Sequence, residues 1–117
     1  MTNINLKPLA WVGDSKKKLM EFPRQVQRQV GQALMFAQAG EKHQSAKPLK
    51  GKGLSGVFEI VDNHDKDTYR VVYGVKLGKK IYVLHAFQKK SKSGIKTPKQ
   101  EIDLIKQRLK AVKEQLK

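Results

Sequence analysis

The sequence predicts an α+β fold with the order β-α-α-β-β-β-α, its helices packed on one face of an antiparallel-rich sheet. Three observations carry this expectation. Between residues 57 and 87, three runs rich in β-branched and aromatic side chains are separated by turn-forming residues. Before and after that block, apolar residues recur at steps of three and four, the period of a helix with one buried face. Strands grouped together with helices on either side of them form the α+β pattern. At 117 residues, a single domain over 1–117 is expected.

The elements follow in chain order. Residues Pro8 to Val12 (PLAWV) read as a short strand, and Asp14 is placed to cap a short helix through Leu19 and Phe22. Pro23 suits the first turn of a second helix, on which Val26, Val30, Ala33, Leu34 and Ala37 share a face before Gly40 ends it. The segment KHQSAKPLKGKGLSG reads as a loop. The runs Val57–Val61, Tyr69–Val75 and Ile81–Phe87 then form a meander, with DNHDKD and KLGKK as its turns. Thr97, Pro98 and Gln100 supply the cap, first position and capping box of a last helix. Its stripe is Ile102, Ile105, Leu109, Val112 and Leu116.

Composition narrows the function. The formal net charge is +15, which points to a polyanionic partner. The absence of cysteine excludes disulfides, thiolate nucleophiles and cysteine-bound zinc. No apolar run approaches the ~20 residues of a membrane span. The N-terminal residues show no signal-peptide pattern, so a cytoplasmic protein with no membrane role is expected.

Several motifs do not survive inspection. Gly51, Gly53 and Gly56 spell a dinucleotide fingerprint but sit in a loop that feeds a strand, where the fingerprint needs a helix. The acids Asp62, Asp65 and Asp67 lack the glycine and glutamate of a calcium loop. His43, His64 and His85 share no metal-ligand spacing, so neither metal nor cofactor is expected.

The basic sector is more informative. From Thr68 to Gln100 there is no acid, while Arg70, Lys76, Lys79, Lys80, Lys89, Lys90, Lys92, Lys96 and Lys99 are all cationic. Antiparallel pairing brings Arg70 near Lys89 and Lys90, a plausible phosphate-binding concavity. Alternation sets Tyr69, Val71, Tyr73 and Val75 on one face, toward the helices, and Arg70, Val72 and Gly74 on the other. Two readings of Arg70 stand side by side: an open phosphate ligand beside Gly74, or an arginine paired with Glu59 on the neighbouring strand. His85 is expected on the face of Ile81, Val83 and Phe87, either as a satisfied core residue or as a catalytic base.

The ensemble PLKG, G-x-x-E, YR-x-x-Y, L-H-x-F-x-K-K and TP-x-x-E-I resembles the RelE/ParE toxin superfamily, and within it the phage-derived HigB-like branch. The resemblance covers nearly the whole chain. It implies a RelE-like fold and a metal-independent endoribonuclease, a toxin that cuts ribosome-bound mRNA. It also implies a cognate antitoxin, often of helix-turn-helix type. Residue by residue, it implies charge stabilisation at the scissile phosphate by Arg70, Lys50 and Lys90. The general base stays open among Glu59, His85 and Lys89, and Lys47, Lys92, Lys96 and Lys99 are assigned to the RNA backbone. Glu59 and Val61 stand where RelE carries two lysines, and the last helix lacks the RelE tyrosine. The alternatives are a ParE-like gyrase inhibitor of the same fold and a non-catalytic basic RNA- or DNA-binding module.

Overall fold

The structure, a computed structural model, describes residues 5–89 and 97–117. Its elements are β1 (Leu9–Trp11), α1 (Ser15–Met20), α2 (Arg24–Gln38), β2 (Ala46–Pro48), β3 (Val57–His64), β4 (Asp67–Leu77), β5 (Lys80–Lys89) and α3 (Lys99–Gln115). The expected meander is present as β3-β4-β5. It grows into a mixed five-stranded sheet of order β1-β5-β4-β3-β2, in which β1 runs parallel to β5 and the other pairs are antiparallel.

The strands outrun their apolar cores. β3 and β4 continue through DNHDKD to a two-residue turn at Asp65 and Lys66, both with positive φ (48° and 70°). That left-handed pair has the twist a tight hairpin needs. β2 lies within the segment read as a loop; three residues, one of them proline, are too few to show a period.

The two long helices begin one residue later than their prolines suggested. Pro23 and Pro98 both have extended ψ, 146° and 150°, and act as the caps themselves. The backbone N–H of Gln27 donates to the Pro23 carbonyl, and that of Ile102 to the Pro98 carbonyl. Thr97 therefore does not cap α3, and its hydroxyl is free to serve elsewhere. Asp14 likewise makes no side-chain capping bond to α1.

The helices are divided between the two faces of the sheet instead of sharing one. Leu19 and Phe22 at α1, with Val26, Val30 and Leu34 of α2, pack on Ile60, Tyr69, Val71, Tyr73, Ile81 and Val83. Ile105, Leu109 and Val112 of α3 pack on the other face, against Leu54, Val57, Val72, Leu77, Leu84 and Phe87. The alternation expected in β4 holds, but its second face is not open. Val72 is fully buried, and the space above Gly74 is filled by Leu77, whose Cδ1 lies 2.8 Å from where a Cβ would stand. Gly74 makes room for a leucine of the same strand, not for a ligand.

Candidate functional site

Register places the chemistry-bearing residues in transverse rows on the α3 face. Lys47, Glu59, Val72 and His85 are direct partners across β2, β3, β4 and β5. The next row holds Val61, Arg70 and Phe87, and the one beyond it Asn63, Thr68 and Lys89. Paired residues of neighbouring strands point to the same face, so these side chains share the layer beneath the N-terminal turns of α3.

At the centre is a buried ion pair. An Arg70 Nη1 donates to Glu59 Oε1 at 2.5 Å, and both side chains are only 4 % exposed. Thr97 donates its hydroxyl to Glu59 Oε2 at 3.1 Å, and the exposed Lys47 Nζ stands 3.7 Å from Oε1. Both carboxylate oxygens are thus engaged. Arg70 is not an open phosphate fork, which corrects the first of its two readings. It sits on a row diagonal to Glu59, where the two reach each other under the cover of α3. A cleft of about 520 Å³ opens over this cluster, lined by Lys47, Pro48, Leu49, Lys50, Glu59, Thr97 and Ile102. Lys47 and Lys50 are its exposed cations.

His85 belongs to a different cleft. One residue, Leu84, is extra in β5 between the pairs Val72↔His85 and Tyr73↔Val83. This bulge turns His85 to the α3 face, away from the face of Ile81 and Val83 that plain alternation gives it. Its Nε2 lies 2.8 Å from Glu101 Oε1, and its Nδ1 3.4 Å from Arg108 Nη1. A guanidinium can only donate, so Nδ1 accepts and Nε2 carries the proton toward Glu101. Arg108 also donates to the Leu84 carbonyl and to Asp14 Oδ1, each at 2.8 Å. That bond to Arg108 lowers the Asp14 carboxyl below its ordinary value. Two strand spacings, about 10 Å, separate His85 from Glu59, with Val72 between them. The structure does not bring these two base candidates together.

The remaining expectations divide. Lys89 lies on the same face, two rows from Glu59, at the end of β5. Lys99 is exposed in the first turn of α3. Lys90, Lys92 and Lys96 lie outside the described residues. Lys76, Lys79 and Lys80 gather at the β4–β5 turn, some 20 Å along the strand from Arg70 by the rise per residue. The basic sector is therefore split between two ends of one hairpin. Sequence reasoning missed Arg108 and Glu101. Glu101 is the glutamate of the TP-x-x-E-I motif, to which the resemblance attaches no role, and the signal of Arg108 is position, seven residues on beside the apolar stripe of α3.

A family model described as Phage derived protein Gp49-like (DUF891) matches residues 17–110. This chain belongs to the Gp49-like family. That family is of the HigB-like branch of the RelE superfamily, as the sequence motifs suggested. The matched span of the Gp49-like chain contains every residue that lines the Glu59 cleft and the whole of the Arg108 network except Asp14. No curated protein matches it in sequence. Among solved structures, it is similar to a chain in the crystal structure of the toxin-antitoxin complex RelBE2 from Mycobacterium tuberculosis. The identity is 17 % and the TM-score 0.49, over 69 % of this chain and 95 % of that one.

Proposed function

We propose that this Gp49-like protein is a cytoplasmic toxin of a toxin–antitoxin pair, acting as an endoribonuclease on ribosome-bound mRNA. The observation that carries the reading is the buried Glu59 carboxylate, gathered by Arg70, Thr97 and Lys47 on the floor of a cleft rimmed by lysines. A buried ion pair contributes little net stability because desolvation offsets its attraction. Its place at the bottom of a cationic cleft is better explained by chemistry.

In the proposed reaction, Glu59 takes the proton of a ribose 2′-hydroxyl. The 2′-oxygen forms its bond to the adjacent phosphorus, the bond from phosphorus to the 5′-oxygen breaks, and a 2′,3′-cyclic phosphate remains. The leaving oxygen takes a proton from the Lys50 ammonium or from solvent. Lys47 and Lys50 face the non-bridging oxygens, where charge grows in the transition state. Arg70 acts through Glu59, holding the carboxylate in place. Lys47 is exposed and can swing aside as the phosphate enters.

The test is cleavage of message by translating ribosomes. Glu59→Gln keeps the shape of the side chain, exchanges one acceptor oxygen for an NH2 donor and cannot take the proton; it should lower the rate by 10²-fold or more, in the range for loss of a positioned acid or base. Equal cleavage by a folded Glu59→Gln variant would overturn the assignment. Trapped double-strand breaks in plasmid incubated with gyrase, without RNA products, would instead favour the gyrase-directed reading. Growth arrest on expression, relieved by co-expression of the neighbouring reading frame, tests the antitoxin partnership.

A further inference from the structure

A second concave surface lies between the β2–β3 loop and α3. It measures about 430 Å³ and is lined by Lys52, Gly53, Lys106, Leu109, Lys110, Lys113, Glu114 and Lys117. Five of these eight residues are lysines. Lys106, Lys110 and Lys113 step by four and three along α3 and so share one side of the helix, with Lys117 following just beyond its end. At 1.5 Å per residue the line spans about 16 Å. Lysines near a helix C-terminus are favourable for the helix itself. That accounts for Lys113, in the last turn of α3, but not for Lys106 and Lys110 farther back, nor for Lys52, which reaches the same cleft from the β2–β3 loop and adds like charge to it.

The two clefts are lined in part from the same two elements, the β2–β3 loop and α3. Lys50 and Lys52 lie two residues apart on one loop, and Ile102 and Lys106 lie four apart on one side of α3. We infer that Lys52, Lys106, Lys110 and Lys113 form a phosphate track, along which a single RNA strand continues after leaving the Glu59 cleft. The inference rests on the proposed function only for the identity of the nucleic acid. Leu109, the one large apolar side chain of the lining, is 3 % exposed, so what apolar surface the cleft offers comes from lysine stems, and every long side chain that reaches solvent there ends in a charge. A phosphodiester backbone needs no apolar anchor, since ammonium groups contact it as point charges without reading sequence. Gly53 has nothing within 4 Å of the position of a Cβ, so the loop leaves open space beside Lys52.

The experiment measures binding of labelled single-stranded RNAs of six and of twenty nucleotides, by fluorescence anisotropy, from 50 to 200 mM salt. The proteins are the parent and the variant K106Q/K110Q/K113Q, whose changes fall on exposed or half-exposed positions. The parent should hold the longer RNA more tightly and with a steeper salt dependence. In the variant, the slope for the longer RNA should drop by about 2, from three lost contacts at ~0.7 each. Its affinity for the longer RNA should fall at least tenfold at 50 mM salt, with the hexamer unaffected. Unchanged binding of the longer RNA by the variant would overturn the track. So would a parent that ignores both RNAs yet binds phosphatidylserine vesicles or an acidic peptide. Length-dependent RNA binding without any cleavage of message would leave the track standing and sink the proposed ribonuclease.

Discussion

Replacing Arg70 by methionine should unfold the protein more readily, quite apart from any effect on catalysis. Both partners of the Arg70–Glu59 pair are 4 % exposed, so removing the guanidinium leaves a carboxylate buried with a threonine hydroxyl and one outlying ammonium. Breaking a buried pair from one side costs about 3–5 kcal/mol. Lys47, at 3.7 Å, compensates in part and sets the expectation near the lower figure. With an unfolding entropy of ~2.1 cal/mol/K per residue, each kcal/mol moves the midpoint of a chain this long by about 4 °C. Arg70→Met should therefore lower Tm by about 12 °C. The double variant Glu59→Leu/Arg70→Met removes both charges and should recover at least ~2 kcal/mol of the summed single losses. Urea melts of the parent, both single variants and the double variant complete the cycle. Single losses under about 1 kcal/mol that simply add would refute the buried pair. The cycle also governs how an inactive Arg70 variant is read: only one shown to be folded speaks to catalysis.

Two further outcomes concern Tyr73 and Arg108. Burial pushes the Tyr73 hydroxyl up to about 12, while an unfolded tyrosine titrates near 10. The stability tied to this raised value is complete below pH 10 and is lost as pH climbs toward 12, by about 1.4 kcal/mol at pH 11; urea midpoints at pH 9 and 11 should show that loss in the parent and less of it in Tyr73→Phe. Arg108→Ala strips the Leu84 carbonyl, His85 and Asp14 of one shared donor and should cost about 2 kcal/mol in a thermal melt; a change below 0.5 kcal/mol would mean that the network does not hold α3 in place.

The fold was legible in the sequence wherever a segment was long enough to show its period. The α2 and α3 stripes emerge from spacing, and the three central strands from β-branched and aromatic runs bounded by turn residues. β2 was invisible because three residues have no period. The α3 face went unrecognised for a different reason: Arg70 interrupts the second face of β4, so one charged side chain made a buried surface look open. His85 was assigned to the opposite face because a bulge moves every later side chain across the sheet. Of the site, Lys50 comes from the resemblance, Glu59 is one of three open base candidates at a position where the resemblance departs, and the Arg70–Glu59 pairing is one of two readings of that arginine. Lys52, Lys106, Lys110 and Lys113 draw no assignment from the sequence, because only the folded loop brings Lys52 opposite the other three.

Because α3 follows every described strand, the layer that seals Glu59 and Arg70 is made after all of them during synthesis. A nascent polypeptide holding all five strands still exposes its paired charges to water and lacks the Thr97 hydroxyl. Whatever reaction the cleft performs, the ribosome that is making the protein has translated nearly all of this sequence before a competent copy exists.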